Sequence, residues 1–247
     1  MDTVIITISL QGLIFAFLPV AVVIGIMFCW STDAPTAIYA TLRMLIQLLF
    51  IGYVLVYIFE TDQPKFIIAV LVIMLTAASW IAIRPLQEKR PHMYLNSLGA
   101  ISVGSVLTLA LVIQLIINVE PWFSPSYVVP LGGMIIASAM NTVSLAAERF
   151  QFEYDRETPY IEARRIAFQA SLIPIINSCF AVGLVTLPGM MTGQILSGVS
   201  PLLAARYQIV VMTMLFGASG VSAALYLVLA NRSQRRKSKK VPNPIMN

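Results

Sequence analysis

Long apolar runs constrain this chain more than any other feature of its sequence. A run of about 18 or more apolar residues crosses a bilayer as one α-helix. Seven such runs are present, at 4–28, 38–59, 66–83, 98–119, 127–147, 170–187 and 202–230. Together they leave no stretch long enough for a soluble domain. The sequence therefore predicts an all-α, polytopic integral membrane protein with seven transmembrane helices.

Composition agrees with this fold class. Charged residues make up 11% of the chain and hydrophobic residues 58%, whereas a soluble domain carries roughly 25% charged residues. This balance argues against a soluble enzyme, a nucleic-acid-binding protein and a disordered chain. The two cysteines, Cys29 and Cys179, and the single histidine, His92, provide neither a disulfide framework nor a histidine-rich metal site.

The basic residues predict the orientation. Thirteen of the 16 Lys and Arg residues lie in the third connection, the fifth connection and the C-terminal tail. With seven spans, these three segments lie on the same side of the membrane. Positive loops stay in the cytoplasm, so we expect the N-terminus outside and the C-terminus inside. Residues 1–231 then form the transmembrane domain, with its first run retained as a helix. Residues 232–247 form a basic cytoplasmic tail, expected to be disordered past Val241.

The fifth connection, residues 148–168, is the only predicted cytoplasmic loop long enough for a structured contact. One hypothesis is a docking element for a cytoplasmic partner. The alternative is that two helix ends project into water and are charged for that reason alone. The candidate docking residues are its charged side chains Glu148, Arg149, Glu153, Arg156, Glu162, Arg164 and Arg165.

Glycine and proline interrupt the chain between the last two spans. Backbone irregularity at membrane depth requires cover from protein or a water-filled cavity. The segment is therefore either a broken element that lines a pathway or an ordinary outer loop. Its candidate pathway residues are Gly189, Met190, Met191 and Gln194.

Polar side chains inside the predicted spans are further pathway candidates. Arg43 and Gln47 lie four residues apart in the second span, Asn141 lies in the fifth and Asn177 in the sixth. Such groups are costly in lipid, so we expect them to face the bundle interior or a cavity. With a span that begins near residue 38, Arg43 could instead extend its side chain to the membrane interface.

Nucleotide-binding and hydrolase motifs are missing from the sequence. The chain contains neither a Gly-x-x-x-x-Gly-Lys-Ser/Thr phosphate loop nor a Gly-x-Ser-x-Gly or His-Glu-x-x-His motif. We therefore expect a protein that is not itself an enzyme and that cannot hydrolyse ATP alone.

The segment at 183–211, GLVTLPGMMTGQILSGVSPLLAARYQIVV, resembles the signature of the iron-export (Fet-type) ABC transporter permeases. That family also includes plant aluminium-tolerance permease subunits. Three further patterns fit it and extend the resemblance over most of the chain. They are Arg43-x-x-x-Gln47-Leu48, Gly133-Met134-Ile135-Ile136 with Asn141, and Leu172-Ile173-Pro174 ahead of Asn177.

The resemblance implies the permease subunit of an ATP-driven exporter of iron or another metal in the cell inner (plasma) membrane. Two permease copies would pair with two copies of a separate ATP-binding subunit, which would bind ATP and Mg. No cofactor would be bound by this chain. Residues 148–168 would be the element that docks on the ATPase, although this loop is shorter here than in many members of the family.

The residues leave the substrate open. A hard iron site requires carboxylates and imidazoles, and no metal-ligand set is evident in the spans. An autonomous secondary transporter or channel is an alternative. So is a membrane scaffold without a substrate.

Overall fold

The computed structural model describes residues 9–59, 63–86 and 91–238. Within these ranges the chain is helical and forms no strand; one isolated bridge joins Val182 and Thr186. The predicted all-α class is confirmed. The helices are α1 Leu10–Phe15, α2 Leu18–Cys29, α3 Ala34–Phe59, α4 Pro64–Ala82, α5 Pro91–Leu111 with a π-helical extension Val112–Ile117, α6 Pro125–Asp155, α7 Tyr160–Ala181, α8 Gly189–Leu196 and α9 Pro201–Ser238.

The chain divides into two compact units, residues 1–61 and residues 62–247. The first unit contains α1, α2 and α3. Its predicted first span is two helices, because α1 ends at Phe15 and α2 starts again at Leu18 with Pro19 in its first turn. The predicted start of that span, at residue 4, lies outside the described residues.

Helix α3 begins earlier than the sequence predicted. The Asp33 carboxylate accepts a hydrogen bond from the Thr36 backbone N–H at 3.2 Å, which caps the helix at its first turn. Arg43 follows the first residue of α3 by nine positions, or about 13 Å along the axis. Arg43 therefore lies farther from the start of the helix than it would if the helix began near residue 38.

Proline marks the starts of the long helices in the second unit. Helices α4, α5, α6 and α9 have it as their first residue, at Pro64, Pro91, Pro125 and Pro201. A first-turn N–H has no acceptor within the helix, so proline loses nothing there, and its fixed φ favours helix formation. This placement limits unsatisfied donors where the chain re-enters an apolar region.

Six helical segments of the described chain are long and apolar enough to cross a membrane: Gln11–Cys29, Ala34–Ile58, Pro64–Ala82, Pro91–Ile117, Pro125–Asp155 and Pro201–Asn231. The run predicted at 170–187 corresponds to α7, which begins ten residues earlier, among charged side chains, and ends at Ala181. Its charged first turns lower its apolarity. The seven-span count and the orientation therefore stay predictions.

Helix α6 extends well beyond its predicted span of 127–147. Its 31 residues cover about 46 Å, against a hydrocarbon core of about 30 Å. The extra length carries the charged residues from Glu148 to Asp155 as a continuation of the helix. Helix α9 likewise includes the first residues of the predicted tail, to Ser238, whereas residues 239–247, including those past Val241, lie outside the described residues.

The second unit has two distinct ends. At one end, which we call the hairpin end, a single core joins the end of α6, the start of α7 and the end of α9, through Phe150, Ala163 and Ala230. At the other end, which we call the cavity end, α8 and the start of α9 surround a cavity with Ile117 and Tyr127. The chain leaves α6 at the hairpin end and reaches α8 at the cavity end.

Small residues allow the helices of the second unit to pack closely. The hydroxyls of Ser138 on α6 and Ser219 on α9 lie 2.8 Å apart in a hydrogen bond, and Ser97 on α5 donates to the Ser79 carbonyl on α4 at 3.2 Å. Gly104 on α5 faces α9 directly. A Cβ at position 104 would collide with the Ser222 side chain and lie 3.2 Å from the Ala218 carbonyl oxygen.

We expect Gly104→Ala to lower the free energy of unfolding by about 1–3 kcal/mol, because the added methyl group overpacks the α5–α9 contact. Gly220→Ala is the matched control, since a Cβ at position 220 meets nothing within 4 Å. Reversible unfolding of the two purified variants in mixed micelles measures the difference. A G104A variant as stable as G220A would contradict this account of the interface.

Candidate functional site

The charged segment forms the tip of a helical hairpin. Helix α6 ends at Asp155, residues 156–159 form the connection, and α7 begins at Tyr160. The Glu157 N–H donates to the Tyr154 carbonyl at 3.0 Å, and the Thr158 N–H donates to the Glu153 carbonyl at 3.1 Å. These two bonds form a Schellman motif. Its left-handed position, with φ of 60°, is occupied by Glu157, although glycine suits that conformation better.

A buried carboxylate supports this turn. Glu153 is only 6% exposed. One of its oxygens lies 2.8 Å from Nη2 of Arg149, and the other accepts a hydrogen bond from the Thr158 hydroxyl at 3.0 Å. The side chain thus joins the last turns of α6 to the connection and offsets the unfavourable backbone conformation of Glu157.

Aromatic packing fixes the two arms of the hairpin. The Phe150 side chain is buried, and its ring meets that of Tyr160 edge to face, with centroids 6.1 Å apart. Phe150 also belongs to the core that contains Ala163 of α7 and Tyr226 of α9. The hairpin is therefore packed into the body of the second unit.

The outer surface of the hairpin combines an exposed aromatic ring with basic groups. Phe152 is 47% exposed, and the guanidinium carbons of Arg149 and Arg156 lie 5.1 and 4.7 Å from its ring centroid. At such distances the guanidinium groups interact with the π-face of the ring. This surface, which we call the Phe152 surface, presents an apolar centre flanked by positive charge.

The remaining candidate docking residues lie on the two arms of the hairpin. Arg164 stacks over Tyr160 at 5.4 Å, and Arg165 pairs with Glu162 at 3.1 Å on an exposed face of α7. Glu148 is exposed on α6. The structure places six of the seven candidates on the outside of the hairpin and buries only Glu153.

A second candidate region is the cavity at the opposite end, about 250 Å³ in volume. Four of its lining side chains carry a heteroatom: Tyr127, Met190, Gln194 and Tyr207. Aliphatic side chains form the rest of the lining: Ile117, Leu131, Val199, Leu203, Val210 and Val211. The interrupted segment after the sixth predicted run therefore contributes a helix, α8, to the wall of a cavity.

Two glutamines near this cavity have unsatisfied side-chain oxygens. The Oε1 atoms of Gln194 and Gln208 are buried and find no hydrogen-bond partner among the described residues. Gln208 is 6% exposed and follows the lining residue Tyr207 on α9. An unpaired buried carbonyl oxygen is destabilising, more so in an apolar region. The cavity end thus contains two enclosed amide oxygens with which no described residue forms a hydrogen bond.

The other predicted pathway residues are not among the side chains that line this cavity. Asn141 and Asn177 are exposed on the surfaces of α6 and α7, and Gly189 and Met191 lie on α8 outside the cavity lining. Arg43 and Gln47 belong to α3 of the first unit. Of the eight candidates, only Met190 and Gln194 line the cavity.

Sequence reasoning did not identify Tyr127, Tyr207 and Gln208 as site residues. The signal for Gln208 was present, because it is an uncharged polar residue within a long apolar run. The tyrosines gave no comparable signal, since tyrosine is common at membrane interfaces.

We expect Glu153→Ala to loosen the hairpin connection. The substitution removes the acceptor of the Thr158 hydroxyl and the partner of Arg149, so the connection opens more often. Amide hydrogen exchange at Arg156, Glu157 and Thr158 should accelerate about tenfold, which corresponds to about 1.4 kcal/mol of local stability.

Glu148→Ala is the control, because Glu148 is exposed on the same helix and surface substitutions change stability little. Equal exchange rates in E153A and E148A would show that the Glu153 carboxylate does not hold the turn.

Comparison with known proteins gives a consistent family result. Residues 10–234 match the family described as "Uncharacterised protein family (UPF0014)". A UPF0014 membrane protein of Synechocystis sp. is 34% identical over 213 residues, which cover 78% of this chain and 82% of the relative. The probable iron export permease protein FetB of Escherichia coli is 33% identical, over 77% of this chain and 78% of the relative.

A plant protein is also similar. Protein ALUMINUM SENSITIVE 3 of Arabidopsis thaliana is 32% identical over 75% of this chain and 72% of its own length. No solved structure matches the chain.

Proposed function

Because this chain belongs to the UPF0014 family of membrane proteins, we propose that it is the permease subunit of an ATP-binding-cassette exporter. It would move iron or another metal ion out of the cytoplasm, across the cell inner membrane. The name of the E. coli relative, a probable iron export permease, supports this assignment. Catalysis of ATP hydrolysis would reside in a separate subunit that binds ATP and Mg, and the permease would act as a homodimer.

The hairpin is the observation that carries the proposal. An ATPase that drives transport needs a rigid contact through which its movement reaches the membrane helices. The hairpin provides one, since Phe150 and Tyr160 lock its arms and its core continues through Tyr226 and Ala230 of α9. A partner that shifts the hairpin would therefore shift α6, α7 and α9 together.

The nucleotide bound to the ATPase can change the conformation of the permease only if the ATPase makes different contacts with the two conformations of the permease. The Phe152 surface suits such a contact. An exposed aromatic ring anchors an interface through apolar burial, and two arginines give the contact charge selectivity. The docking residues would thus be Phe152, Arg149 and Arg156, with Arg149 held in place by the buried Glu153 carboxylate.

We expect Arg156→Glu to reduce co-purification of the ATP-binding subunit at least tenfold. The substitution replaces one of the positive charges on the Phe152 surface with a carboxylate that repels an acidic partner. The tagged protein would be purified from its native membrane, and phosphate-loop ATPases in the complex would be quantified by mass spectrometry.

Arg206→Glu is the matched control, because Arg206 is an exposed arginine near the start of α9, at the cavity end. Equal recovery of the ATPase with R156E and R206E would contradict docking at the hairpin. If no phosphate-loop ATPase co-purifies with the unmodified chain, the exporter assignment itself fails.

The proposed topology has seven crossings, with the N-terminus outside and the C-terminus in the cytoplasm. Of the seven proposed crossings, the one by helix α7 needs a separate argument. The connection before it lies at the hairpin end and α8 lies at the cavity end, so the chain between them traverses the second unit. The basic residues of 148–165 and of the tail then share one side of the membrane, as the distribution of positive charge favours.

The single-cysteine variants Glu157→Cys and Ser200→Cys, in a chain with Cys29 and Cys179 replaced by serine, test this topology. Seven crossings place the two positions on opposite sides of the bilayer. A membrane-impermeant maleimide applied to intact cells should label position 200, which is exposed, whereas position 157 should react only after the cells are opened. Labelling of both positions from the same side would reject the crossing by α7.

An autonomous secondary transporter or channel is the second candidate. The cavity favours it, because apolar walls with a few polar side chains, here Tyr127, Gln194 and Tyr207, suit a small ligand. Substrate flux through the purified chain in liposomes, without ATP or a partner, would support this alternative over the exporter.

A further inference from the structure

Helix α9 has one buried side and one exposed side as it approaches the hairpin end. Val221 and Val228 are exposed, and residues seven apart return to nearly the same side of a helix. We call this side the outward face. The opposite side is buried through Ser222, Ala223, Tyr226, Leu227 and Ala230.

Arginines continue the outward face beyond the apolar part of the helix. Helix α9 is continuous through Ser238, so its register extends to these positions. Arg232 lies four residues after Val228, and Arg235 lies seven after it. Arg236 follows Arg232 by four. At these spacings all three positions fall on one side of the helix, the side that faces away from the bundle.

The three arginines occupy the depth of one lipid headgroup layer. The apolar segment of α9 ends at Asn231, directly before Arg232. Ala230 packs in the same core as Phe150 of α6, which follows the first charged residues of that helix, so α6 and α9 become charged at the same level. Positions 232–236 cover about 6 Å along the helix axis, and a headgroup layer is about 5–7 Å thick.

The charge of the outward face selects its occupant. No Asp or Glu follows Glu162 in the sequence, so α9 itself contains no acid that could pair with the arginines. A second copy bound symmetrically at the same face would bring arginines against arginines, and like charges repel. Anionic phospholipids carry negative phosphate groups at this depth and attract basic side chains.

We propose that Arg232, Arg235 and Arg236 form a binding face for the phosphate groups of anionic phospholipids, on the side of α9 that faces away from the bundle. Bound lipids hold the hairpin end at a fixed depth, because α9 packs there with the end of α6 and the start of α7. This binding does not depend on the exporter assignment.

An exchange of positions at constant charge tests the face. The variant combines Gln234→Arg, Arg235→Gln, Arg236→Ser and Ser238→Arg, which moves two arginines to the other side of the helix and keeps the composition. Native mass spectrometry of the full chain from micelles compares binding of phosphatidylglycerol and phosphatidylcholine with identical acyl chains. We expect a preference of about tenfold for phosphatidylglycerol in the unmodified chain and about twofold in the exchange variant.

Two single substitutions give a matched pair that does not rely on the folding of the exchange variant. Arg236→Gln removes one charge from the outward face and should lower the preference to about threefold. Lys237→Gln is the control, because Lys237 lies seven residues after Ala230 and falls by register on the buried side; it should keep the tenfold preference. Equal preferences in R236Q and K237Q, or full preference in a folded exchange variant, would overturn the proposal.

A cytoplasmic protein is the competing occupant of this face. Lower recovery of the ATP-binding subunit with R236Q, at an unchanged lipid preference, would assign the face to that protein and overturn lipid binding. If no ATPase co-purifies with the unmodified chain but the preference for phosphatidylglycerol depends on Arg236, the exporter is rejected and the lipid-binding face remains.

Discussion

Close contact between helices at small side chains is the constraint on which the second unit depends. In lipid, helices gain little from burying apolar surface against each other, so they associate through packing and interhelical hydrogen bonds. Gly104 brings α5 against α9, and the hydrogen bond between Ser138 and Ser219 joins α6 to α9. Helix α9 therefore acts as the common partner of α5 and α6. The hairpin and the cavity, which are the two candidate regions, lie at opposite ends of the helices that these contacts hold together.

The two ends of the second unit differ in chemistry for a physical reason. At the hairpin end, the helices extend past the apolar region, so their charged side chains meet water; Arg149 pairs with Glu153, and Arg164 stacks over Tyr160. At the cavity end, acceptors such as Gln194 Oε1 stay unpaired while apolar side chains surround them. The first end is suited to a protein contact through fixed charges.

The fold class was predictable because lipid leaves a simple signature, the long apolar run. Boundaries were less predictable, since charge does not end a helix. Helix α6 continues through Glu148 and Arg149 to Asp155, and α7 begins among the charges of the same segment. The sequence placed a loop over 148–168, whereas the connection occupies only residues 156–159. Spacing alone could not show that Glu153 is the buried member of the set, because that depends on Thr158 folding back to meet it.

The ion pair between Arg149 and Glu153 lies within a single helix, whereas the ring contact between Phe150 and Tyr160 joins two. During synthesis, the pair can form as soon as the end of α6 has emerged from the ribosome. The aromatic contact must wait for the next helix. The buried carboxylate can thus acquire its counter-charge before α7 has been made.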